Sequence, residues 1–207
     1  MNRTQERFVA LWSRSGGANA EAVCADLVRR YGEPERHYHT LHHVRRCLRD
    51  FDRAREIIAH GDLVELALWC HDVIYVPGAK DNEQRSADWF RRCADEGIAT
   101  CERICEAILA TRHHHIPDDP VARYVCDIDL ASLGAPRRQF RDNGVRLRAE
   151  RPDLDDPTYA MHERKMLQGL LARPRIYLTE YFHSHCEAAA RDNLAWRLAQ
   201  PLPGAAT

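Results

Sequence analysis

The stretch from Leu63 to Asp72 constrains this chain more than any other. From Leu63 to Trp69 every residue is apolar except Glu65. A helix that is apolar nearly all round is a buried helix. At its far end stand His71 and Asp72, side by side. A carboxylate near a helix C-terminus meets the negative end of the macrodipole, and burial adds a desolvation cost. Something positive must therefore lie beside Asp72. A divalent ion with His71 as a second ligand would serve, and so would an arginine. The dyad alone leaves both answers open.

The segments around it read as helices. Residues 5–13 form an amphipathic helix stopped by Gly16-Gly17, and Asn19 can cap a second one ending at Tyr31-Gly32. Glu33 to Arg36 is a connector. A long helix is expected from about Thr40 to Ala59, with Leu41, Val44, Leu48, Phe51, Ile57 and Ile58 at roughly helical spacing. Gly61 breaks it, and Asp62 can cap the buried helix. After the Pro77–Lys80 loop, a helix opens at Asp81 or Asn82 and stops near Gly97. Thr100 can cap the next, which reaches His113. Pro120 suits a first helical position ahead of a helix over Val121–Leu133. Three more follow, at about 136–148, 157–172 and 179–198. Ile74-Tyr75-Val76 is the best β-like segment and is too short to build a sheet. The expectation is an all-α, single-domain helical bundle over residues 1–200, with 201–207 a flexible tail.

The 207 residues suffice for one substantial core. A net charge of -1 leaves no basic excess, so nothing suggests a nucleic-acid footprint. No apolar run is long enough to span a membrane, and no signal-peptide core follows the N-terminus, so a cytoplasmic protein is expected. None of the 8 cysteines forms a Cys-x-x-Cys pair. They read as reduced thiols used in packing, Cys101 and Cys105 included. Histidine is the unusual residue. There are 12, and His37, His39, His42, His43, His71, His113, His114 and His115 gather in three places. Histidine is the commonest metal ligand and the usual acid–base residue near neutral pH.

His39, His42 and His43 fall at i, i+3 and i+4, where they would share one helical face. Asp127 and Asp129 sit among apolar residues and cannot both take the same face. The order His, His-Asp, Asp on an all-helical background resembles the HD superfamily of metal-dependent phosphohydrolases. More narrowly it is similar to a bacterial family of predicted HD phosphohydrolases. Four ordered segments carry the resemblance: Tyr38-His39-Thr40-Leu41-His42-His43, Ala67-Leu68-Trp69-Cys70-His71-Asp72, Asn82-Glu83-Gln84-Arg85-Ser86-Ala87 and Asp127-Ile128-Asp129-Leu130-Ala131-Ser132-Leu133-Gly134. It extends to Ala190-Arg191-Asp192-Asn193-Leu194 and covers most of residues 36–195.

The resemblance implies His43, His71, Asp72 and Asp129 as metal ligands. His43 is preferred to His42 because a β-branched residue follows it, and Asp129 to Asp127 because a leucine does. Two imidazoles and two carboxylates suit a divalent ion such as Mn, Fe, Co, Ni, Mg or Zn, one or two of them. No thiolate is implied. His114 is the candidate ligand for a second ion. His39 also resembles the first histidine of the Tyr-His-Asn-x-x-His segment in cyclic-nucleotide phosphodiesterases, with Thr40 in place of the asparagine, which makes it the candidate general acid. Glu83 could hold a nucleophilic water or orient a ligand; equally, it is an ordinary first-turn glutamate. Lys80, Arg85, Arg112 and Arg164 are candidate phosphate cations.

The expected activity is hydrolysis of a phosphomonoester or phosphodiester, a nucleotide by analogy, through a metal-activated water, with Asp72 among the catalytic residues. The partner is then a small phosphate ester, not a nucleic acid or a membrane. Oligomeric state is open, a homodimer included. Two rivals stand beside this. One is an HD-type di-iron oxygenase, which needs more than four ligands. The other is a non-catalytic nucleotide-binding regulatory domain.

Overall fold

The computed structural model describes residues 1–201. The tail expected over 201–207 falls, from 202 onward, outside the described residues. Among the described residues there are ten α-helices and no strand, as the all-helical reading requires. The chain divides into two compact units, Met1–Asp129 and the residues from Leu130 onward, where the sequence reading has one span of 1–200.

The first unit holds α1 (Arg3–Arg14), α2 (Ala20–Arg30), α3 (Leu41–Ala54), α4 (Gly61–Cys70), α5 (Asn82–Ala94), α6 (Cys101–Ala110) and α7, which starts at Pro120 and ends with Leu130. Helix α4 is its axis. Val64, Leu66, Ala67, Leu68 and Cys70 are fully buried, and α1, α3, α5 and α6 pack around them. Glu65, the lone charge, is buried too. Arg7 Nε donates to it at 2.7 Å and Trp69 Nε1 at 3.4 Å, so the charge is paired as burial demands. The same Arg7 grips Asp52 on α3 through both Nη atoms, at 2.8 and 2.6 Å. One arginine thus joins α1, α3 and α4. An aromatic chain fills the space between them. Phe8 stacks on Trp12 and meets Trp69 edge-on, and Trp12 meets Phe90 edge-on.

The element boundaries differ from the expectation where tertiary contacts intervene. Helix α3 stops at Ala54, and Arg55–Ile57 is a 3-10 turn. Gly61 begins α4 rather than ending what precedes it. A Cβ there would lie 2.3 Å from Arg55 Nη1. Asp62 sits in the first turn and takes Arg14 at 2.9 Å instead of capping. Helix α7 ends at Leu130, and a 3-10 turn over Ala131–Gly134 replaces its expected last turn. Gly16 adopts φ +95°, and a Cβ on it would fall 2.3 Å from the Gly97 carbonyl oxygen. Only glycine lets the ends of α1 and α5 meet this closely.

The second unit contains that 3-10 turn, α8 (Arg137–Ala149), α9 (Asp156–Leu171) and α10 (Glu180–Ala199). Asn193 Nδ2 on α10 donates to the carbonyls of Leu133 and Ala135 at 2.7 and 2.8 Å. The Glu187 carboxylate accepts from the Ile176 and Tyr177 amides and from Arg191 Nε at 2.6 Å. The Ala190–Leu194 segment is therefore scaffold. Arg164 likewise donates to the Leu198 and Gln200 carbonyls at the end of α10.

Candidate metal centre

The end of α4 sets the site. Past Cys70 the helical carbonyls lose their internal partners and need donors. Tyr31 Oη donates to Trp69 O at 2.9 Å. Arg36, its side chain 1% exposed, donates to Asp72 O at 2.6 Å, Val73 O at 2.9 Å and His39 O at 3.1 Å. The cation that the helix terminus calls for is thus an arginine, but it serves the backbone. It leaves the Asp72 carboxylate to other partners.

Those partners are imidazoles. Asp72 Oδ2 lies 2.9 Å from His71 Nε2, 3.6 Å from His43 Nε2 and 4.0 Å from His39 Nε2. Asp129 Oδ1 lies 3.2 Å from His43 Nε2 and 3.5 Å from His71 Nε2. The two Nε2 atoms are 3.1 Å apart. Ligands about 2.1 Å from one ion stand about 3.0 Å apart at right angles and about 3.4 Å apart at the tetrahedral angle. The separations here, 2.9–3.6 Å, match that spacing. His43, His71 and Asp72 form a group that could hold a metal ion, and so do His43, Cys47 and Asp129.

Ring orientation sharpens the point. His71 Nδ1 faces Leu68 O at 3.0 Å, so Nδ1 donates and a neutral ring turns a bare Nε2 towards two carboxylates. A lone pair cannot rest there against ionised oxygens without a positive charge between them. A proton supplies it in the ion-free protein. Burial works against a charged His71, but attraction to Asp72 and Asp129 outweighs it and raises the ring's pKa well above 6.5. Burial likewise opposes ionisation of Asp72 and Asp129, yet the surrounding histidines hold both carboxyls below the usual range. Burial pushes His43 the other way, below 6.5. Its Nδ1 lies 3.2 Å from Arg46 Nη2, which also donates to Tyr38 Oη at 2.6 Å. An ion held by Nε2 would require the ring proton on Nδ1, and Arg46 would then keep Tyr38 as its acceptor. The donor set therefore fits a divalent ion.

The remaining candidates divide. His39 stands outside α3, because Thr40 caps that helix by accepting from His42 N at 3.2 Å. His42 is consequently exposed while His43 is buried, and the three histidines do not share a helical face. His39 reaches Asp72 from the capping turn and stacks on Tyr75 at 4.3 Å. Asp127 is fully buried, whereas Asp129, its side chain 19% exposed, turns its carboxylate to the histidines. Glu83 Oε2 lies 3.5 Å from Arg112 Nε. Lys80 and Arg85 are exposed, and Arg85 lines a cleft with Tyr75, Pro77 and Arg92. His114 is exposed and meets His115, not the cluster. His113 takes the inward place, its Nε2 2.9 Å from Asp129 Oδ2. The cause is its left-handed φ of 56°, which turns the chain after α6 and reverses the expected order.

Four contributors escaped the sequence reading. Cys47 lies one helical turn after His43, with Sγ 3.7 Å from its Nε2. That i, i+4 spacing was the available signal. Arg36 and Tyr75 gave none, and His113 was signalled only as one of three consecutive histidines, of which His114 was the candidate. Asn82 and Ser86, quoted only as family-like, prove to hold the chain beside the site. Asn82 pairs with both Val76 N and Val76 O, at 2.9 and 3.0 Å, and Ser86 Oγ with Ile74 N and Ile74 O, at 3.1 and 3.2 Å. This fixes the segment that carries Tyr75. No protein-family model, curated protein or solved structure matches the chain.

Proposed function

We propose that this centre binds a divalent metal ion and hydrolyses a phosphate ester, as an HD-type phosphohydrolase of the cytoplasm. One observation carries the reading: His71 directs Nε2 at ionised Asp72 and Asp129, where a cation belongs. His43, His71, Asp72 and Asp129 would hold the ion. When bound, it supplies Lewis acidity towards the phosphate and activates water near neutral pH. The chain's own groups do the rest. Leu68 O orients His71, and His113 orients Asp129. His39 stands beside the cluster, on the Tyr75 ring, where it can give a proton to the leaving oxygen. Arg112, next to His113 and resting against Glu83, can take charge from the phosphate. A nucleotide is the substrate class by resemblance alone.

A two-ion centre is the second reading. Asp129 meets His43 through Oδ1 and His113 through Oδ2, a bridging arrangement, and His39 adds a ligand beside Asp72. Metal analysis of protein purified without chelators separates one ion from two, and iron spectra test the oxygenase chemistry. A screen of nucleotide mono- and diesters with Mn²⁺, Co²⁺, Ni²⁺ and Mg²⁺ tests hydrolysis. Asp72→Ala should lose both ion and turnover, and His39→Ala should keep the ion and lose turnover. Full metal content and turnover in Asp72→Ala would overturn the proposal. Tight nucleotide binding without phosphate release under any ion would favour a regulatory domain.

A further inference from the structure

We infer that the centre has a second coordination mode, in which His43, Cys47 and Asp129 take a thiophilic divalent ion such as Zn²⁺ or Cd²⁺. His43 and Cys47 lie one turn apart on α3, and Asp129 arrives from α7. The three donor atoms lie within 4.8 Å of one another, and both α3 members are buried. A tetrahedral ion with nitrogen at about 2.0 Å and sulfur at about 2.3 Å separates those atoms by about 3.5 Å. Cys47 Sγ lies 3.7 Å from His43 Nε2. Nitrogen and carboxylate oxygen on such an ion stand about 3.4 Å apart. Asp129 Oδ1 lies 3.2 Å from the same Nε2. Among the described residues, Cys47 is the one cysteine of the 8 grouped with further metal-binding side chains.

The two modes share His43, whose Nε2 can serve one ion at a time. They are therefore mutually exclusive. Soft thiolate selects the thiophilic ion, whereas the oxygen-rich set of His71 and Asp72 favours a harder one. Occupying the sulfur mode draws His43 and Asp129 away from His71 and Asp72. Cys47 exchanges its S–H bond for an S–metal bond, and the proton leaves to solvent. Zn²⁺ or Cd²⁺ would thus displace the activating ion, a consequence that rests on the hydrolase reading, although the sulfur mode itself does not.

Titration of the full-length protein with Cd²⁺ tests this through the near-ultraviolet thiolate-to-metal charge-transfer band. The wild type should show one equivalent of the band. Cys47→Ala and Cys47→Ser should lose it and bind Cd²⁺ at least tenfold more weakly, whereas His71→Ala should keep it. In wild type preloaded with Mn²⁺, the free-ion electron paramagnetic resonance signal should return as Cd²⁺ binds. A band absent from wild type, or undiminished in both Cys47 variants, overturns the inference. So does a band that vanishes in His71→Ala. A Cys47-dependent band in a protein that never binds Mn²⁺ would defeat the hydrolase reading and leave this one standing. Mn²⁺ binding and hydrolysis without the band would do the reverse.

Discussion

Binding of Mn²⁺ should release one proton at pH 7, and that proton should come from His71. The cluster contains two carboxyls held below their usual range, so neither has a proton to give. His43 is held below 6.5 and is already neutral. His71 alone is raised well above 6.5, because Asp72 and Asp129 outweigh the burial that disfavours its charge. The ion must take its place. While pH lies below the raised pKa, displacing one proton makes affinity climb about tenfold per pH unit, or about 1.4 kcal/mol. A histidine at the ordinary value of 6.5 would give only about a threefold gain between pH 6 and pH 7.

Calorimetry in buffers of different ionisation heat measures the proton directly. The slope of affinity against pH gives the count independently. Stability follows with a defined sign. A raised pKa stabilises the ion-free fold fully below 6.5, and that contribution is lost as pH rises through the folded value. The ion-loaded fold does not depend on that proton. The rise in Tm produced by Mn²⁺ should therefore widen with increasing pH. A threefold slope, or no proton released at pH 7, would refute the assignment of the charge to His71.

Three further outcomes are expected. His113→Asn keeps a residue that tolerates the left-handed φ of 56° but cannot reach Asp129, so Mn²⁺ affinity should fall about 10–100-fold in the same calorimetric assay. Gly16→Ala places a Cβ against Gly97 O and strains a φ of +95°, which should lower urea-measured stability by more than about 2 kcal/mol. Glu187→Ala strands the Ile176 and Tyr177 amides and the Arg191 guanidinium, at about 3 kcal/mol in urea unfolding. Burial opposes the Glu187 charge, but those amides and Arg191 prevail and lower its pKa below 4.5. Its contribution is present above 4.5 and should disappear as pH falls through the lower folded value.

The helices were legible because their signals are local. An apolar stretch from Leu63 to Trp69 admits no solvent face, and α4 is buried accordingly. Asp72 and His71 could be singled out because a charge at the end of such a helix needs an explanation. Which partner answers it could not be read, because the arginine and the carboxylate's neighbours beyond His71 come from distant segments. Arg36 satisfies the carbonyls while imidazoles face the carboxylate. The failures lie where one backbone angle decides. Whether His113 or His114 turns inward depends on a φ of 56° beyond the end of α6. Thr40 capping decides whether His39 and His42 share a face. Cys47 was passed over because burial alone accounts for most cysteines; only its distance from His43 sets it apart.

The clamp made by Asn82 and Ser86 has a consequence for how this chain can change. Two side chains on α5 do for Ile74 and Val76 what a neighbouring strand would do. Val76 and Asn82 are thereby tied at both the amide and the carbonyl, and residues 77–81 form a closed loop anchored at its own base. Doubling such a loop costs only about 0.6 kcal/mol of closure entropy. Length added within 77–81 leaves the base, and with it Tyr75 against His39, in register. A single residue inserted between Asn82 and Ser86 rotates one anchor away from the other and releases both. The chain is thus tolerant of new sequence a few residues from its most constrained atoms, and the boundary of that tolerance is Asn82.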